Sequence, residues 1–132
     1  EISVEYGDIM AHTPEDTYDC AVGSLFFHHL TNTEILKVLE RLRKIVRRAV
    51  FINDLRRSAP AFIGMLALGP FIHSGVWHDS LMSIRRGFRA AELRHILEQL
   101  PAVSVTTKNE FLFRVTGTVH FGERCLEAAT PQ

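Results

Sequence analysis

Asp16-Thr17-Tyr18-Asp19-Cys20-Ala21-Val22-Gly23-Ser24-Leu25-Phe26-Phe27-His28-His29-Leu30 decides how the rest of the chain is read. A turn-forming acidic cluster leads into a short apolar run containing Val22 and Leu25, and two histidines follow just before a helix signal at Thr31. Apolar character over so few residues predicts a strand over 18–25, apolar on both faces as in a parallel sheet. Such a strand brings the polar groups at its carboxyl end to the edge of the sheet, where open α/β folds bind ligands.

Working outward, Thr31-Asn32-Thr33-Glu34 offers N-cap residues with an acid in the first turn, and Ile35, Val38, Leu39, Leu42, Ile45 and Val46 recur at helical spacing. The pattern predicts a helix over 32–46. Lys37, Glu40, Arg41, Arg43 and Lys44 form its solvated face, and Arg47 and Arg48 follow at the end, where the helix dipole favours cations. Ala49-Val50-Phe51-Ile52 is the next apolar run and breaks at Asn53-Asp54. Strand, helix, strand implies a right-handed crossover and a parallel pair.

On the amino-terminal side, Ile2, Val4 and Tyr6 alternate with polar residues, which predicts a strand over 2–6 ended by Gly7-Asp8, with a loop over 10–17. On the other side, Arg56 to Ala59 reads as a linker, Pro60 to His73 as an apolar helix and Ser74 to Ser83 as a loop. Gly87 opens a further helix with Leu93, Ile96, Leu97 and Leu100 on one face, which Pro101 terminates. Val103, Val105 and Thr107 mark a strand, Lys108-Asn109-Glu110 a hairpin turn, and Phe111 to Phe121 a last strand, so the sheet ends in an antiparallel pair. No pattern organises the tail from Arg124 to Gln132.

At 132 residues the chain can bury a core without disulfides or metals. Lys plus Arg and Asp plus Glu balance at 15 each, so no net field draws the chain to nucleic acid or anionic lipid. A small molecule or another protein is the expected partner. The longest apolar run, Ala59 to Ile72, is interrupted by Pro60, Gly64, Gly69 and Pro70 and falls short of the about 20 residues a membrane helix needs. Cys20 and Cys125 lie far apart without CxxC spacing, which points to free thiols in a reducing cytoplasm. The chain begins at Glu1, directly in a strand-like pattern, and is expected to be the later part of a longer protein.

Seven histidines invite a metal reading, but no HxxxH, HxH or CxxC accompanies His28-His29, and adjacent histidines in a regular segment point apart. No metal site is expected. No GxSxG occurs, and the isolated cysteines lack a catalytic constellation. What remains is a set of polar strand ends: Gly7-Asp8-Ile9, Gly23-Ser24 leading into His28, and Asn53-Asp54. In strand order, these favour one shared pocket.

These same segments carry a family likeness. Val4-Glu5-Tyr6-Gly7-Asp8-Ile9, Tyr18 through Leu30, and Phe51-Ile52-Asn53-Asp54-Leu55, in that order, resemble the later strands of a class I S-adenosylmethionine-dependent methyltransferase. His78-Asp79-Ser80, followed by Ser83 through Leu93, is similar to the stretch before the last helix of small-molecule members. The resemblance implies a partial Rossmann-like α/β fold over residues 1–123, with parallel strands, helices and a carboxyl-terminal antiparallel pair, followed by a tail over 124–132.

By position, the resemblance puts Asp8 at the adenine amino group, Ile9 beside the ring, and Ser24 and Leu25 at the methionine portion of the cofactor. His28 falls near the methyl-transfer site, as a general base or as pocket lining. Asn53, Asp54, His73, Trp77 and His78 fall on the acceptor side, with 60–80 as its variable cover. Read from the residues alone, Trp77, Phe26, Phe27 and the run 62–72 form either an apolar acceptor pocket or simply core, with core the expectation for Phe26 and Phe27. His73 and His78 stand behind His28 as candidate bases. Val46-Arg47-Arg48 replaces the family's usual Pro-Gly-Gly turn, and no GxG occurs in the chain, so the glycine-rich loop is absent.

Two functions are therefore expected in competition. One is methyl transfer from S-adenosylmethionine to a small apolar or aromatic metabolite by the intact protein. The other is a non-catalytic remnant that self-associates without binding cofactor. A bare sheet edge predicts at least a dimer for this chain in either case.

Overall fold

Four strands and four longer helices follow the chain in the order β1 (Tyr18–Ser24), α1 (Asn32–Ile45), β2 (Val46–Leu55), α2 (Ala59–Leu68), α3 (Ser74–Arg86), α4 (Ala90–Leu97), β3 (Val103–Glu110) and β4 (Arg114–Phe121). The structure, a computed structural model, describes residues 4, 6–11, 17–101 and 103–122. The described strands form one sheet in the order β1-β2-β4-β3. β1 and β2 are parallel, with Ser24 opposite Asn53, and α1 makes the crossover between them, as the spacing predicts. β2 and β4, and β3 and β4, pair antiparallel.

α1 forms where its signals say. Thr31 and Glu34 close a capping box: the Glu34 N–H donates to Thr31 Oγ1, and the Thr31 N–H donates to Glu34 Oε2 at 2.7 Å. Ile35, Val38, Leu39, Leu42 and Ile45 are all buried, each contributing roughly 1.5–3 kcal/mol if fully withdrawn from water. They meet Val50 and Ile52 of β2, Val115 and Val119 of β4, and Leu93, Ile96 and Leu97 of α4 in one core. Both α1 and α4 thus cover the same face of the sheet.

The other face is open, and this corrects the expectation that β1 is buried on both sides. Val22 is 73% and Phe51 40% exposed, and Tyr18, Cys20 and Ser24 are exposed as well. An apolar run marks a strand that is able to be covered on both faces; what covers it is a matter for other segments.

Three further expectations shift. Ser74 to Ser83, read as a loop, belongs to helix α3. Its Trp77 Nε1–H donates to the Met65 carbonyl at 2.9 Å and its ring fills the space beside Gly69, so contact with α2 outweighs the weak local propensity of Gly75 and Ser74. The helix over 60–73 ends earlier, at Leu68, followed by a 3-10 turn over Gly69–Phe71. The hairpin turn lies at Phe111 to Phe113, not Lys108 to Glu110, because β3 keeps pairing until Glu110 meets Arg114. Leu112 and Phe113 take positive φ of 55° and 59° there, and the Arg56 N–H holds the turn by donating to the Phe113 carbonyl at 2.7 Å.

Of the strand expected over 2–6, Val4 and Tyr6 are described, both exposed and outside the ladder; the rest lies outside the described residues, as do Cys125 and the tail. Cys20 is an exposed free thiol.

Candidate active site

The carboxyl ends of β1 and β2 build the site. The Leu25 N–H donates to the Asn53 carbonyl at 3.0 Å, beyond the last residue of β1. Leu25 then takes φ 53°, a left-handed conformation that costs a side-chain-bearing residue about 1–2 kcal/mol. The chain turns there into a 3-10 turn over Phe27–His29, closed by the Leu30 N–H on the Phe27 carbonyl at 3.0 Å. Phe27 is buried against Gly23, where an added Cβ would lie 2.5 Å from the ring, so only glycine lets the turn fold back this closely.

The turn delivers His28 into the interior, 5% exposed, above a fully buried Asp54. The His28 Nδ1–H donates to Asp54 Oδ1 at 2.6 Å and its backbone N–H to Oδ2 at 3.2 Å, while the Leu55 N–H donates to Oδ1 at 2.7 Å. Three donors thus satisfy a carboxyl group removed from water, as a buried acid requires. In a neutral ring with Nδ1 donating, the lone pair falls on Nε2. The orientation of the imidazole is fixed from behind by the carboxyl group. His29 does not point away, as the spacing suggests, because the turn is not a strand: the two rings lie 4.0 Å apart. Among the described residues no cluster of acids, cysteines and histidines is placed to hold a metal ion.

Two clefts share this turn as a wall. One, about 550 Å³, is lined by Asp8, Ile9, Gly23, Ser24, Phe26 and Phe27 together with Val38 and Leu42 of α1. It brings Asp8, Ile9 and Ser24 together, but His28 faces a second cleft and Asn53 and Asp54 line neither, so the three strand ends do not share one pocket. Asp8 Oδ1 accepts the Met10 N–H at 2.9 Å, which stiffens that loop and leaves Oδ2 without a partner among the described residues. The other cleft, about 440 Å³, is lined by His28, Leu30, Asn32, Arg57, Arg85, Arg86, Phe88, Glu92, His95 and Ile96.

The remaining candidates are placed elsewhere. Leu25 lies at the corner and lines neither cleft. Asp54 is sealed from solvent, hydrogen-bonded to His28, and lines neither cleft. Asn53 supports the corner through its carbonyl. His73 caps α3, accepting the Gly75 N–H at 3.4 Å, and Trp77 locks α3 to α2. His78 is exposed beside Asp79. Phe71, 84% exposed, and Ile63, Leu66 and Leu68 form neither a wall around His28 nor core, contrary to both readings of 62–72, while Phe27 is core as expected and Phe26 is exposed.

Sequence reading missed the arginines. Arg57 sits in what reads as a linker, yet its Nε–H donates to the Gly87 carbonyl at 3.1 Å and its guanidinium pairs with Glu92 at 2.6 Å. Gly87 and Phe88 run beside the end of β2, the Phe88 N–H donating to the Leu55 carbonyl at 2.9 Å. A Cβ on Gly87 would meet that carbonyl oxygen at 2.7 Å, so the signal for this contact was the glycine between Arg86 and Phe88.

The mixed sheet with a parallel pair, one crossover helix and a carboxyl-terminal antiparallel pair aligns with solved methyltransferases. The plantazolicin methyltransferase BpumL, solved with a desmethylplantazolicin analogue and S-adenosylhomocysteine, matches 89% of this chain with a TM-score of 0.64 at 12% identity. This is the class I methyltransferase fold. The pyocyanin biosynthetic protein PhzM aligns over 88% of the chain with a TM-score of 0.60 at 16% identity. Magnesium protoporphyrin IX methyltransferase from Synechocystis PCC 6803, with bound S-adenosylhomocysteine, aligns over 86% with a TM-score of 0.54 at 13% identity. The chain spans 57%, 34% and 48% of these three proteins respectively. No family model and no curated protein matches the sequence.

Proposed function

We propose that residues 1–123 are the carboxyl-terminal part of a class I methyltransferase domain, with 124–132 a tail, and that the whole protein transfers a methyl group from S-adenosylmethionine to a small molecule with an apolar or aromatic body. The observation that carries this reading is the buried His28–Asp54 pair at the ends of two parallel strands, between two clefts that share one turn.

The first cleft fits the cofactor in its donor set: Asp8 offers a carboxylate oxygen to an amino group, Ile9 an apolar surface and Ser24 a hydroxyl. Leu25, at the corner, supports Ser24 in facing the methionine portion. When bound, S-adenosylmethionine supplies a methyl group already activated on its sulfonium, so the protein's task is mainly alignment.

The second cleft holds the acceptor. Phe88, Ile96 and Leu30 pack against its body, and His28 Nε2 takes the proton from its nucleophile. Asp54 holds Nδ1 so that Nε2 faces the work, and balances the imidazolium that forms. Asn53 fixes the corner, while His73, Trp77 and His78 act through the α2–α3 cover and not by contact with His28.

The setting is a reducing cytoplasm, in which the exposed Cys20 stays a thiol. No described helix is long and apolar enough to cross a membrane.

The second reading, a non-catalytic remnant that self-associates, draws support from the open sheet face at Val22 and Phe51. Calorimetric titration of S-adenosylhomocysteine into the full-length protein separates the two: saturable binding supports the enzyme, and its absence supports the remnant.

A further inference from the structure

The cleft beside His28 carries more positive charge than an apolar acceptor calls for. Arg57, Arg85, Arg86 and His95 line it together with a single carboxylate, Glu92. Glu92 is already committed: Oε2 takes the Arg57 guanidinium at 2.6 Å and the Arg89 N–H at 3.0 Å, at the start of α4. Arg57 is committed in turn, to Glu92 and to the Gly87 carbonyl. That leaves two guanidiniums in excess, and neither has an ion-pair partner among the described residues. Arg85 is held in place without being neutralised, its guanidinium stacked 5.1 Å from the centre of the Phe62 ring.

Two basic residues in the last turn of α3 suit the helix dipole wherever they point. The dipole does not account for their convergence with His95 and His28 on one cleft. Leu30, Phe88 and Ile96 exclude water from part of the same wall, which strengthens the field of the charges above them. A guanidinium matches an oxyanion in geometry as well as charge, because its N–H groups form a fork for two oxygens.

We infer that the acceptor carries an oxyanion group, a carboxylate or a phosphate, held by Arg85 and Arg86 while an aromatic or apolar body lies on Phe88 and Ile96 with its nucleophile toward His28. The inference rests on the methyltransferase reading for its use of His28, and the anion site is separable from it by experiment. Arg57 and Glu92 act as a positioning pair: by neutralising each other and tying β2 to α4 they hold the floor of the cleft.

The test uses the full-length protein labelled with ¹⁵N-arginine and three probes of similar shape: benzoate, phenyl phosphate and neutral benzamide. At least one anion should shift the Arg85 and Arg86 side-chain resonances saturably and bind at least tenfold more tightly than benzamide, with the difference shrinking as salt is raised. The double variant Arg85→Gln, Arg86→Gln should bring the anion's affinity down to that of benzamide while leaving S-adenosylhomocysteine affinity within about twofold, which also shows that the variant is folded. Equal binding of anion and benzamide, no binding of any probe, or an unchanged anion affinity in the double variant overturns the inference. S-adenosylhomocysteine binding reads out the other cleft. Its loss with anion binding intact removes the enzyme reading alone, and intact cofactor binding without an anion preference removes only this inference.

Discussion

Asp54 is the residue on which the site depends, because three N–H donors converge on a carboxyl group that no solvent reaches. Replacing it with alanine strands all three, and the cost should be about 3 kcal/mol, measured as a lower urea midpoint at unchanged slope. His28→Ala in the full-length protein should lower turnover roughly a hundredfold, the usual worth of a positioned base. An unchanged rate would make His28 a lining residue. Leu112 poses the reverse case, being 70% exposed at φ 55°: Leu112→Gly removes a left-handed strain with little burial to lose and should raise stability by about 0.5–1 kcal/mol. At this scale the sequence named His28, Asp8, Ile9 and Ser24 as members of one shared pocket, which the structure divides, with Asp8, Ile9 and Ser24 on one cleft and His28 on the other. It could not tell that Asp54 turns inward, since an acid at a strand end looks the same whether it faces a ligand or a histidine twenty-six residues away.

Among the elements, α1 was legible throughout because its cap, its spacing and its buried face all agree. Thr31→Ala should cost about 1 kcal/mol by opening the capping box. The hydrogen bonds from the backbone and side chain of Thr31 hold the Glu34 carboxyl below the usual glutamate value of 4.5, with Lys37 helping. A carboxyl group whose value is lowered on folding stabilises the native state above its unfolded value, and this contribution disappears as pH falls through the lowered one. Acid titration should therefore destabilise the wild type progressively below pH 4.5, and Glu34→Gln should flatten that part of the curve. α3 was illegible for a matching reason: its Gly, Ser, His and Asp residues read locally as a loop, and the contacts that make it a helix, Trp77 on Met65 and Gly69, join separate segments. The late hairpin turn was missed because Phe111, Leu112 and Phe113 carry no turn chemistry and are held by Arg56 from another part of the chain.

Across the whole molecule, the fold has one finished face and one bare one. α1 and α4 close the core on one side, while Val22 and Phe51 look out from the other, and among the described residues β1 ends the sheet with no strand paired to its outer edge. We expect light scattering to show the 132-residue chain as at least a dimer, and Val22→Lys to shift it toward the monomer; a monomer at all concentrations contradicts this. The sequence conveyed the strand–helix–strand crossover and the carboxyl-terminal antiparallel pair, and the resemblance conveyed the fold they belong to. Neither disclosed which side of the sheet stays open, because coverage depends on segments packing from a distance. On the proposed function, the cofactor lies along Asp8, Ile9 and Ser24, on the far side of the turn from the arginine cleft. Photocrosslinking the full-length protein with an azido-adenine S-adenosylmethionine, with the label mapped by mass spectrometry, checks this placement. Label is expected within residues 7–9 and 21–27; label within 85–96, or none at all, contradicts this placement.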